Sequence, residues 1–214
     1  MNEIDFVLLC DGSSDRCLIP ILKWLLRRHF SDIPINGEWA DVSRSLPSRH
    51  TLAHRIRLAV ELYQPNVLFV HRDAEAQDPQ LRYDEAYRAA STIAVDFPVN
   101  ACICVVPVRM TEAWLLFDEQ AVKIAASNPN CRTDIQLPSL STIESLADPK
   151  QILSEVLIQA SELRGRHLKR FKLGLGRCRH LITENIEDFS PLLELQAFHR
   201  LNRDIEQLAM ATIR

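Results

Sequence analysis

The sequence predicts an α/β protein, a parallel sheet with helices on both faces, continued by a C-terminal helical layer on the same core. Three observations lead to that class. The runs 4–10, 67–70 and 101–108 are apolar almost without interruption, as strands buried on both faces are. Segments of helical periodicity separate the runs, which is the strand–helix alternation of parallel sheets. Each run ends in a polar, acid-bearing stretch, at the carboxyl edge where such sheets place their ligands.

The elements follow in order. The first run stops at Asp11-Gly12-Ser13-Ser14, a turn sequence in which Ser13 or Ser14 can cap a helix with Asp15 in its first turn. Leu18, Ile21, Leu22, Leu25 and Leu26 give that helix its apolar face, with an end near Phe30. Pro34 and Gly37 mark a loop, and a short strand is expected over 38–42. Leu52, Ile56, Ala59, Val60 and Tyr63 define the next helix. The run 67–70 ends at His71-Arg72-Asp73-Ala74-Glu75, and a polar helix is expected over about 83–95. The run 101–108 leads through Arg109-Met110-Thr111-Glu112 into a helix starting at Ala113-Trp114-Leu115-Leu116, whose apolar residues read as core. Beyond the core, 1–126, the helical part 127–214 carries Ile152, Val156, Leu157 and Ala160 on one helix and a last helix over 192–210 introduced by Ser190-Pro191.

Composition is that of an ordinary globular chain, with 47% hydrophobic and 25% charged residues among 214. A formal net charge of −3 neither invites nor excludes nucleic acid, so the distribution of charge has to decide. The six cysteines, Cys10, Cys17, Cys102, Cys104, Cys131 and Cys178, form no CxxC pair and mostly sit in apolar runs. They read as buried free thiols in a reducing compartment rather than zinc ligands. Asp5 and Asp11 bracket the first apolar run too closely for a signal peptide. No segment has the length and hydropathy of a membrane span, and the expected location is cytoplasmic.

Acids follow three strands: Asp11 and Asp15, then Asp73 and Glu75 with Asp78 a further candidate, then Glu112. Parallel strands bring these loops to one edge. Converging carboxylates repel one another, and a hard divalent cation relieves the repulsion. An all-oxygen set favours magnesium or manganese, which on phosphate oxygens generates a nucleophile and neutralises developing charge. For any one of these acids the plainer reading is a helix cap or turn former. Arg72 reads as a phosphate contact or as the partner of Asp73 or Glu75. His71 reads more readily as a structural hydrogen-bonder than as a base.

The stretch 164–180 holds Arg164, Arg166, His167, Lys169, Arg170, Lys172, Arg177, Arg179 and His180 without one acid, interleaved with Phe171, Gly174 and Gly176. It reads either as a phosphate-backbone footprint or as a solvated helix face followed by a loop.

An apolar strand, acid-Gly-x-x-Asp, and a later strand ending Asp-x-acid together resemble the Toprim domain of topoisomerases, primases and overcoming-lysogenization-defect nucleases. The run Val106-Pro107-Val108-Arg109-Met110-Thr111-Glu112-Ala113-Trp114-Leu115-Leu116, taken with His71-Arg72-Asp73-Ala74-Glu75, resembles a bacterial Toprim-like family of unknown function associated with phage defence. Asp188-Phe189-Ser190-Pro191-Leu192 and Ala197-Phe198 are similar to its C-terminal part. The resemblance implies a metal-dependent nuclease with Asp11, Asp73 and Glu75 catalytic, and Asp11, Asp15, Asp73, Glu75 and Glu112 on Mg2+ or Mn2+. It further implies a nucleic-acid substrate and an ATPase partner in a two-component system; the residues that charge distribution assigns to holding nucleic acid are Arg72, Arg164, Arg166, Lys169, Arg170, Lys172 and Arg177. The Toprim pattern has glutamate where this chain has Asp11, and Asp-x-Asp where it has Asp73-Ala74-Glu75. The alternative is a non-catalytic subunit that binds nucleic acid or a partner protein. A phosphotransfer domain using Asp73 would want a lysine after a later strand, and the chain offers Arg109. A topoisomerase would need a companion domain bearing a catalytic tyrosine, and the only tyrosines are Tyr63, Tyr83 and Tyr87.

Overall fold

The computed structural model describes residues 3–42, 51–93, 97–98 and 101–212. Among them, four strands form one all-parallel sheet in the order β2-β1-β3-β4. They are β1 (Ile4–Leu9), β2 (Ile35–Trp39), β3 (Val67–His71) and β4 (Cys102–Val105). Every residue of β3 and β4 is buried, so these strands can be apolar throughout. Helices α1 (Leu18–His29) and α9 (Gln196–Thr212) pack together on one face, and α2 (Leu52–Tyr63) and α3 (Pro79–Ser91) on the other. The remaining helices are α4 (Glu119–Ala125), α5 (Leu140–Ile143), α6 (Pro149–Ser161), α7 (Gly165–Lys172) and α8 (Leu175–Asn185).

The fold class agrees with the expectation, and several boundaries differ for local reasons. β2 lies three residues earlier than 38–42 because it pairs in register with β1, Ile4 opposite Ile35 and Leu8 opposite Trp39. Gly37, expected in a loop, stands inside it opposite Phe6, where a Cβ would run into the Phe6 ring. α3 starts earlier than 83, with Asp78 as its N-cap accepting from the Gln80 N–H at 2.9 Å and Pro79 in the first turn. Val95, at its expected end, lies outside the described residues. β4 ends at Val105 because Pro107 has no N–H for a ladder. There the chain turns to bond the other loop, Ala74 N–H to Pro107 O at 3.2 Å. The helix expected from Ala113 is a 3-10 turn over Thr111–Leu115, and α9 is likewise preceded by a 3-10 turn over Ser190–Glu194.

One hydrophobic cluster runs from Ile4 to Ala209, so the C-terminal helices complete the core of the sheet. Trp114, fully buried as expected, meets Phe198 of α9 edge-on at 5.0 Å. Phe189 is wedged between Trp24 of α1 and Phe117. All six cysteines are buried free thiols. Burial pushes the Cys10 thiol up to about 12, with the Asp15 charge adding to it, so it is inert at neutral pH. Among the described residues no helix is long and apolar enough to cross a membrane.

Candidate functional site

The strand-end acids all lie in loops at the carboxyl edge, and they divide into an inner and an outer set. The inner set surrounds His71, the last residue of β3 and 3% exposed. Asp15, in a 3-10 turn over Ser13–Cys17, places Oδ2 3.6 Å from His71 Nδ1. Asp73 places Oδ1 3.2 Å from His71 Nε2 and accepts the Thr111 N–H at 3.0 Å. Thr111 Oγ1 lies 3.1 Å from His71 Nε2. His71 at the end of β3 and Thr111 in the loop after β4 therefore clamp one oxygen of Asp73. Its Oδ2 has no protein hydrogen bond among the described residues, and the side chain is about one-third exposed.

Among the outer acids, Asp11, Glu75 and Glu112 each meet an arginine. Asp11 accepts from Arg55 of α2 through Oδ1 and from Arg72 through Oδ2, the latter at 2.6 Å. Burial alone would raise the Asp11 pKa, but the Arg55 hydrogen bond and the two guanidinium charges outweigh it and hold the carboxyl low. Arg72 also reaches Glu85 at 3.3 Å, Glu85 faces Arg82 at 3.3 Å, and Arg82 faces Glu75 at 3.4 Å. The result is an alternating chain from Arg55 to Glu75. Glu75 is well exposed, at φ 56°, and its N–H donates to Arg109 O at 2.7 Å. Glu112, 4% exposed, is paired with Arg179 of α8 at 2.7 Å. Burial pushes its pKa up, and the Arg179 charge opposes that rise. Asp78 is turned to capping α3.

As they stand, no three His, Cys, Asp or Glu side chains among the described residues are grouped so as to hold a metal ion. The donor chemistry nonetheless suits a hard ion, because magnesium sites use one or two carboxylates and take their other ligands from water and phosphate. Asp73, fixed on one oxygen and open on the other, fits that role. Asp11 fits once its arginines have other anions to bind.

Arg72 is one of the two clamps on Asp11, not a partner of Asp73 or Glu75. The basic stretch is two helices rather than a helix and a loop. α7 has no buried residue. Arg164, Arg166, Lys169, Arg170, Lys172 and Arg177 are all exposed and make no ion pair among the described residues. α8 packs against the turns Ser13–Cys17 and Thr111–Leu115 and brings Arg179 to the acidic edge, whereas His167, Arg170 and Phe171 of α7 lie against Ala126 and Ser161. Arg55, Arg82, Glu85 and Thr111 were not singled out from sequence. Thr111 adjoins Glu112 in the motif, which was a usable signal, whereas Arg55 lies 44 residues from Asp11 on a helix with no chemical marking.

Comparison with protein-family models, with curated proteins and with solved structures finds no match to the chain.

Proposed function

We propose that this chain is a metal-dependent nuclease of Toprim type, cutting phosphodiester bonds with Mg2+ or Mn2+ held at the carboxyl edge. The observation that carries the reading is Asp73: a strand-end carboxylate locked by Thr111 and His71 through one oxygen, open through the other, among further acids from the loops after β1 and β4. A bound divalent ion would supply the activated water and neutralise charge on the phosphate. Asp73 would anchor it, with Asp11 joining and Asp15, Glu75 and Glu112 around them. Arg55 and Arg72 neutralise Asp11 while no polyanion is present. A phosphodiester offers the same forked geometry, so both guanidiniums turn to it and release Asp11. The exposed cations of α7 and Arg177 hold the backbone alongside. The cytoplasm suits a chain of free thiols. A role in phage defence and an ATPase partner rest on the sequence resemblance alone.

One observation favours the non-catalytic reading, a subunit that binds nucleic acid or a partner: both Asp11 oxygens are already taken by arginines. The two readings separate in one experiment. The protein is incubated with plasmid, single-stranded DNA and RNA in Mn2+ or Mg2+, and its melting is followed with and without metal. A nuclease cleaves one of these substrates and is stabilised by the ion, since binding only the folded state raises the melting temperature. Asp73→Ala then loses cleavage while remaining folded, and Asp11→Glu keeps or raises it by restoring the Toprim reach. Full cleavage by Asp73→Ala overturns the mechanism. Salt-sensitive nucleic-acid binding with no metal effect and no cleavage establishes the non-catalytic reading.

A further inference from the structure

A cavity of about 620 Å³ lies between α3 and α9, beside the β4 end of the acidic edge. Its walls are tied to the acid loops. Pro79 follows the cap of α3, and Val108 precedes Arg109, whose carbonyl accepts the Glu75 N–H. One helix serves both places: Arg82 and Glu85 of α3 face Arg72 and Glu75, while Pro79 and Tyr83 line the cavity. The Arg200 guanidinium lies over the Tyr83 ring at 3.4 Å and donates to Gln80 at 2.9 Å. Such a held plane leaves its opposite face for an aromatic ligand. Arg203 and His199, one turn apart on α9, line the same cavity and are exposed, without a side-chain hydrogen bond or ion pair among the described residues. Two acids complete the lining, and neither pairs with Arg203 or His199. Glu144 is spent on the first N–H groups of α9, Gln196 at 3.1 Å and Ala197 at 3.0 Å, and Glu194 stands exposed on the rim.

We infer that this cavity is a nucleotide subsite, its base stacked on Arg200 and its phosphate met by Arg203 and His199. The inference rests on the proposal that the chain acts on nucleic acid, and it names the substrate form: a strand with an unpaired nucleotide next to the cleaved bond. The volume falls in the range of small-molecule sites. The layout suits a strand crossing the edge. α8 covers the turns after β1 and β4, and the cavity opens beyond the loop after β4; β1 and β4 stand two strands apart, about 10 Å.

The test is calorimetric titration of the full chain with the four nucleoside 5′-monophosphates, in buffer without divalent metal. At least one is expected to bind with a dissociation constant on the order of 0.1 mM. Arg200→Ala and Arg203→Glu should each weaken it about tenfold, the usual worth of one charged contact. Arg203→Glu changes an exposed side chain and leaves the fold intact. Asp73→Ala should bind as the parent does, because the subsite uses no metal. Absence of binding at millimolar nucleotide overturns the inference, as does binding that both arginine variants leave unchanged. If cleavage is observed and nucleotide binding is not, only the subsite falls. If the nucleotide binds and no metal-dependent cleavage occurs, the nuclease reading falls and the subsite stands.

Discussion

Arg179→Ala tests whether the buried pair between α8 and the acidic edge holds the two together. Arg179 Nη1 lies 2.7 Å from Glu112 Oε1, and the Glu112 side chain is only 5% exposed. Truncation leaves that carboxylate buried without its cation, which costs about 3–5 kcal/mol in comparable sites. Glu112 has an escape, because burial already raises its pKa and protonation removes the charge. The lower end, about 3 kcal/mol, is therefore expected at neutral pH. In a chain of this size 1 kcal/mol shifts Tm by about 2–4 °C, so the midpoint should drop by about 6–12 °C. The sign of the pH dependence follows from linkage. Loss of Arg179 raises the folded-state pKa of Glu112 further above its unfolded value, so the native state binds more protons in the window between them. Stability of the variant then falls as pH rises through that window, and the deficit shrinks as pH falls toward the ordinary glutamate range. The double variant Glu112→Gln with Arg179→Met, which removes both charges, should recover most of the loss. Thermal melts followed by circular dichroism at neutral and mildly acidic pH measure all three proteins. A deficit below about 1 kcal/mol that ignores pH would refute the argument.

Four further outcomes are expected. Phe198→Ala removes the edge-on partner of Trp114 and should cost about 3–5 kcal/mol in a single cooperative transition; two separate transitions would show that the C-terminal helices fold apart from the sheet. Thr111→Val deletes the hydroxyl bonded to His71 at a cost of about 1 kcal/mol; if the nuclease reading holds, it should also lower cleavage by loosening Asp73, which steady-state rates will reveal. Glu162 accepts from Thr133 and Asn128, whose hydrogen bonds pull its carboxyl down to about 2. Its contribution is present above the ordinary glutamate pKa and lost as pH falls toward that low value, so Glu162→Gln should flatten the acid limb of the stability curve. Replacing Lys169, Arg170 and Lys172 together should flatten the salt dependence of nucleic-acid binding by about one unit per lost phosphate contact, with Tm unchanged because these cations are exposed. An unaltered slope would mean that α7 is only a solvated face.

What could be read without coordinates was local. Continuous apolar runs marked β1, β3 and β4 because a strand covered on both faces has no polar side to show. The acids could be placed at one edge because each follows a parallel strand directly, and parallel strands end on the same side. β2 was misplaced for the opposite reason: an edge strand with alternating partial exposure has a weak pattern, and its register is set by pairing with β1. The character of the site lay beyond sequence altogether. Whether Asp11, Glu112 and Asp73 stand free, clamped or half open depends on Arg55, Arg72, Arg179 and Thr111, which lie 44, 61, 67 and 38 residues from the acids they meet. An arginine on a helix face looks the same in sequence whether it points to water or to a carboxylate. Electrostatic pairing is short-ranged in space and indifferent to separation along the chain, so only the packing of α2 and α8 against the sheet decides which acids remain open to a ligand.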